Sequence, residues 1–275
     1  MEHQSSLEMA RKYVNDQNFE KAKEAYLQAL SEDPSDKERG FIWAELSNIF
    51  YQQKAYQQVI EAVENALNYY PQYRSKEELY RLLGFTYLQL NEDQKAVENL
   101  ERSLQLEHSS EKQQYALYEL AKLYFKHQQY EKAGQLFREV EAFFYQNRKD
   151  YWLSTLFYKG FVFYYANELE QSEKIFEELL ENAPDALRKA TGLFGLAFIA
   201  FQRKQYLNAI NLCEAVTSND PNFFDMETVG FLTAASFFHL GREDVFDKYY
   251  DQLRMKYPEG RYITELKQLK TSRKN

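Results

Sequence analysis

All five prolines of this chain, Pro34, Pro71, Pro184, Pro221 and Pro258, fall on one lattice. Pro34 to Pro71 spans 37 residues, as do Pro184 to Pro221 and Pro221 to Pro258, and the remaining gap of 113 residues is three periods plus two. Proline lacks the backbone N–H and clashes with the preceding helical turn, so it breaks helices. Spaced this way it marks the same corner of one structural unit used repeatedly, and the chain reads as a repeat array.

Aligning on the prolines brings out two helical patterns per unit. Ahead of each proline runs an apolar stripe spaced three, four and three: Phe19, Ala22, Tyr26 and Ala29 before Pro34; Tyr56, Val59, Val63 and Ala66 before Pro71; Leu169, Ser172, Phe176 and Leu179 before Pro184. This is the stripe of an amphipathic helix, with a small residue where a neighbouring helix must come close. Upstream lies a second pattern, seen in Trp43, Leu46 and Phe50, in Tyr80, Leu83, Gly84 and Tyr87, and in Leu117, Leu120, Ala121 and Tyr124. Short polar stretches separate the two patterns, so each unit predicts helix, tight turn, helix and a proline corner.

These positions resemble the tetratricopeptide repeat family. Its first helix carries a bulky residue, Leu, Gly or Ala, and Tyr; its second carries Ala, Phe and Ala; and Pro closes the unit. The unit over 40–73 matches most fully, through Trp43, Leu46, Phe50, Tyr56, Ala66 and Pro71. Two units depart at the corner, with His108 and Tyr145 where proline is expected, and the last has Phe246 at a small position. The resemblance implies an all-α, right-handed superhelical solenoid over 1–275 without a domain boundary. Its seven repeats would cover about 3–36, 40–73, 77–110, 114–147, 153–186, 190–223 and 227–260, with the two-residue slip near Arg148 to Tyr151. A C-terminal capping helix over 261–271 is expected to cover the last apolar face through Tyr262, Ile263, Leu266 and Leu269.

Composition narrows the function. The formal net charge is −8, and no basic stripe interleaved with aromatics supplies the positive surface that nucleic acid requires. No run approaches the ~18 apolar residues of a membrane span. Residues 1–13 lack an apolar signal core, so the expected compartment is the cytoplasm, with the periplasm open to a chain whose signal has been removed. A single cysteine, Cys213, excludes an internal disulfide and reads as a core thiol. The histidines, His3, His108, His127 and His239, have no helical zinc spacing, and no phosphate-cradling loop or nucleophile elbow occurs. No enzyme, metal or cofactor is expected, and the partner class is a protein or peptide.

In this family the first helices line a concave groove. Carried over, the resemblance places Tyr115, Tyr118, Lys122, Phe125, Phe157, Phe161, Tyr164, Tyr165, Phe194, Phe198, Phe201, Phe231 and Phe238 on that surface, beyond a more polar N-terminal half. Two readings stay open: the rings are core, or they form an exposed patch that takes an apolar or amphipathic segment, aromatics being favoured anchors. Some members grip a terminal carboxylate with Lys, Arg and Asn, and Arg11, Asn48 and Arg81 stand near such positions. A different class remains alternative: a structural subunit whose aromatic face is buried by self-association. The segment RMKYPEGRY at Arg254–Tyr262 is similar to the final repeats of envelope-assembly members.

Overall fold

A computed structural model describes residues 5–106 and 111–272, in fifteen α-helices with no strand among the described residues. His3 and the corner at His108 lie outside them. The chain divides into two compact units, one up to Leu123 and one from Tyr124 onward. No helix of the described residues is long and apolar enough to cross a membrane.

The first unit contains α1 (Ser6–Asn15), α2 (Phe19–Ser31), α3 (Asp36–Gln52), α4 (Tyr56–Tyr69), α5 (Lys76–Gln89) and α6 (Asp93–Leu106). Sequential helices pack as α1 on α2, α3 on α4 and α5 on α6, and α3 also touches α5. Their starts follow side-chain capping rules: Ser5 with Glu8 and Ser35 with Glu38 each form a reciprocal capping box. The core between the pairs is built from small residues such as Ala10, Ala22, Ser47 and Ala66 around larger Tyr26, Leu46 and Leu100, all at most 1% exposed.

The division falls within α7 (Glu111–Lys126). The second unit continues through α8 (Tyr130–Asn147), α9 (Lys149–Tyr165), α10 (Leu169–Asn182), α11 (Ala186–Gln202), α12 (Tyr206–Asn219), α13 (Met226–His239), α14 (Glu243–Lys256) and α15 (Ile263–Ser272). Without a proline at Tyr145, α8 runs to Asn147 and only Arg148 separates it from α9. The helices α9, α11 and α13 touch one another in sequence, so one face of each lies side by side, while α15 packs on α13 and α14.

The tight turns within the helix pairs share one backbone device. Gln17, Lys54, Asn91, Gln128, Asn167, Lys204 and Gly241 all have φ between 57° and 72°. Each donates its N–H to the carbonyl three residues back, and the next residue donates to the carbonyl five back, as in Gln17 to Val14 and Asn18 to Tyr13. That pair of bonds satisfies two of the carbonyls orphaned at a helix end. The left-handed residues recur at 37-residue intervals, except for 39 between Gln128 and Asn167. The period is therefore written into the backbone, independently of the prolines.

Candidate protein-interaction face

The aromatic residues of α9, α11 and α13 come together because they occupy equivalent repeat positions. Phe157, Phe194 and Phe231 form one lattice column, Phe161 and Phe198 a second, and Tyr164, Phe201 and Phe238 a third. Within α9 the three- and four-residue spacing keeps Phe157, Phe161 and Tyr164 on one face. Their ring centroids lie 5.1 Å (Phe157–Phe161) and 6.2 Å (Phe161–Tyr164) apart. Across to α11, Phe161 lies 5.2 Å from Phe198 and 5.9 Å from Phe194, and Tyr164 lies 5.5 Å from Phe198. Most of these contacts are edge-to-face, the arrangement the ring quadrupole favours.

Burial divides the set. Phe161, Phe194 and Phe231 are core residues at 5%, 3% and 8% exposure, whereas Phe125, Phe157, Tyr164, Phe198, Phe201 and Phe238 are half-buried and Tyr165 is exposed. Phe125 packs with Tyr158 and Tyr165, and Tyr165 stacks on Tyr130 at 4.4 Å. The single cluster is thus floored by buried rings and surfaced by half-covered ones.

Beside it opens a cavity of about 390 Å³ walled by Phe157, Tyr158, Leu153 and Phe224, with Arg188 and Asp150 on its rim. Phe224, in the corner ahead of α13, is 69% exposed and lies within 6.0 Å of Phe194 and 5.9 Å of Phe157. Sequence reasoning along the first helices passes over Phe224 because it precedes the helix. The available signal is the Phe223–Phe224 pair placed directly before the capping residue Asp225. Arg188 and Asp150 are already engaged, with Asp185 at 2.7 Å and Arg148 at 3.0 Å. Hydrogen bonds from the Arg188 backbone to Asp185, and from the Arg148 side chain to Asp150, hold both carboxyls below their usual range.

The phenols of the cluster are uncharged at neutral pH. Burial, and then the neighbouring phenols of Tyr130, Tyr164 and Tyr262, pushes Tyr165 up to about 12, while burial and Tyr262 raise Tyr164. The face therefore offers apolar area and neutral hydroxyls. Among the described residues no group of three His, Cys, Asp or Glu comes together to hold a metal ion.

In the first unit, Tyr118 is buried, Tyr115 half-buried, and Lys122 lies over the Tyr118 ring while pairing with Glu119 at 2.8 Å. Asn48 and Arg81 line one cavity of about 310 Å³ together with Phe85, Tyr115 and Lys112. Arg81 is only 6% exposed, with its guanidinium 3.6 Å from Glu78, which also pairs with Lys112. Asn48 donates to the Ala44 carbonyl of its own helix. Arg11 lies outside that cavity, stacked over Phe41 at 4.8 Å.

Models of the tetratricopeptide repeat match residues 4–36 and 77–108 in one form and 115–144 and 154–186 in another. Those four stretches are tetratricopeptide repeats. Solved tetratricopeptide repeat structures share its fold. One from Parabacteroides merdae superposes with a TM-score of 0.62 at 17% identity, covering 85% of this chain and 93% of that one. YrrB, described as a TPR protein with an unusual peptide-binding site, gives 0.58 at 16% identity, covering 73% of this chain and 95% of its own. PilW, a type IV pilus biogenesis factor, gives 0.59 at 16%, covering 82% and 97%. No curated protein matches the sequence. At these identities the likeness is one of fold.

Proposed function

We propose that this tetratricopeptide repeat chain is a non-catalytic protein-interaction scaffold whose second unit takes an apolar or amphipathic peptide segment on the aromatic face of α9, α11 and α13. The observation that carries the reading is the half-covered row Phe157, Tyr164 and Phe198 beside a cavity walled by the bare ring of Phe224. Fully burying one such ring contributes ~1.5–3 kcal/mol, so a few would dominate binding. YrrB, a fold relative, is described by its peptide-binding site, which supports the class of ligand without naming it. The neutral phenols and the engaged rim charges fit recognition rather than bond-making.

Burial tells the variants apart. Phe198→Ala and Phe224→Ala should each weaken capture of the native partner about tenfold while leaving the melting temperature near that of the parent. Phe161→Ala removes a buried ring and should instead cost ~3–5 kcal/mol of stability. Affinity purification with partner identification, run beside circular dichroism melts, checks both. Capture unchanged by Phe198→Ala and Phe224→Ala in normally stable protein removes the reading. A dimer by sedimentation that Phe224→Ala dissolves would favour self-association through the same face.

A further inference from the structure

The C-terminal end of the aromatic face is already occupied by the chain itself. Between α14 and α15 the corner places Tyr262 against Phe231, the last member of the first lattice column, with ring centroids 4.2 Å apart and planes within 13°. The Tyr262 hydroxyl lies 3.0 Å from Thr228 Oγ1 on α13. Arg261 forms ion pairs with Asp225 and with Glu227, the latter at 3.3 Å.

We propose that the corner segment Tyr257–Tyr262 is a strap that closes the Phe231 end of the aromatic cleft, opens without unfolding the rest of the unit, and must be displaced for a peptide to reach Phe231. This rests on the cleft reading above.

Three features make the closure reversible. Its polar fastening reaches solvent from one side: the Arg261 side chain is 59% accessible, while Asp225 and Glu227 are 18% and 16%, so water and salt screen the ion pairs in part. The helix that follows is anchored by one fully buried residue, Leu266, with Ile263 and Leu269 only partly buried against the core. The closed state also carries a defect. Glu227 Oε1 is buried with no hydrogen-bond partner among the described residues, and the Gly260 backbone sits so close that a Cβ there would collide with it. A buried carboxylate oxygen without a protein partner is costly, and lifting the strap would open it to solvent. Room for that movement exists in a cavity of about 320 Å³ between the Pro221–Glu227 corner and Lys256, Tyr257 and Arg261.

The test uses the full chain, the neutral fluorophore PRODAN as probe, and Arg261→Gln, which removes both ion pairs and the guanidinium's contact over Tyr262 at 5.3 Å while leaving every ring of the cleft in place. Hydrogen exchange over 257–266 should quicken in the parent as salt rises from ~20 to ~500 mM, and in Arg261→Gln should be fast at both. PRODAN affinity should rise about fivefold in Arg261→Gln, because apparent affinity scales with the open fraction. The main thermal transition should stay in place, and Phe198→Ala should lower probe binding in both backgrounds. If probe affinity is unchanged by Arg261→Gln while Phe198→Ala weakens it, the cleft stands and the strap is a fixed cap. Exchange over 257–266 that stays as slow as the α13 core in every condition likewise makes the segment a fixed cap. If Phe198→Ala changes nothing in either background, the cleft reading fails and the strap falls with it.

Discussion

Six of the seven left-handed residues at the tight turns within the helix pairs carry side chains, and among these seven only Gly241 lacks a Cβ. An L-residue in this conformation costs roughly 1–2 kcal/mol, least for Asn and nothing for Gly. Gly241→Ala meets nothing within 4 Å, so its effect is purely backbone, and a loss of about 1 kcal/mol is expected in urea unfolding. Lys204→Gly relieves the same strain while adding freedom to the unfolded chain, so a gain of up to ~1 kcal/mol is expected. The turns themselves were legible as short polar stretches between apolar stripes. Their conformation was not, because Gln and Lys carry no left-handed preference; Asn91, Asn167 and Gly241 hint at it only once the register is known. Cys213 shows the opposite case, a residue whose role was plain from its place in the stripe. Burial pushes its thiol up to about 11, so it should stay unreactive toward Ellman's reagent in native protein at pH 8 and react fully on denaturation.

At the scale of helix on helix, the close approaches are set by what stands opposite each small residue. Phe176 on α10 is wedged between Gly160 on α9 and Gly195 on α11, and a Cβ at either glycine would run into its ring. The Ser172 hydroxyl donates to the Gly160 carbonyl at 2.8 Å, fixing the same crossing. Gly160→Ala should therefore overpack the junction and cost ~1–3 kcal/mol, and Phe176→Leu should recover part of it. A double-mutant cycle by chemical denaturation reads that coupling; strict additivity would show that the ring and the glycine do not meet. The same wedge explains why core and surface rings could not be told apart along the sequence. Phe161 and Phe198 occupy equivalent positions one period apart, but Phe161 rests on Phe176 at 5.0 Å, while the counterpart of Phe176 one period on is the shorter Cys213. Phe161 is buried and Phe198 half-buried, a difference that depends on the facing helix and not on the residue.

Over the whole chain, pH acts through groups whose environments oppose one another. The net charge of −8 at pH 7 falls toward zero near the pI of about 5.3, which relieves self-repulsion as the solution is acidified. Glu45 pushes the same way: burial raises its carboxyl, helped by Glu78 and resisted by Arg11, so its ionised form is disfavoured and stability is gained as pH falls through its folded value. His239 pulls against them. Burial, with Lys204 nearby, lowers its imidazole from 6.5, so the unfolded chain binds the proton first and stability is lost as pH falls through 6.5. At lower pH the carboxylates of Glu38, Asp150 and Asp185, held below their usual range by hydrogen bonds to Ser35, Arg148 and Arg188, become protonated, and their contribution disappears below ~4. Thermal midpoints taken across this range should fall steeply on the acid side. Glu45→Gln should raise the midpoint at pH 7 and lose that advantage near pH 4. His239→Gln should flatten the drop between pH 7 and 5.5, whatever its loss of stacking on Tyr206 does to the absolute value. A parent and His239→Gln with parallel midpoint curves over that interval would show that the imidazole takes up its proton equally in both states.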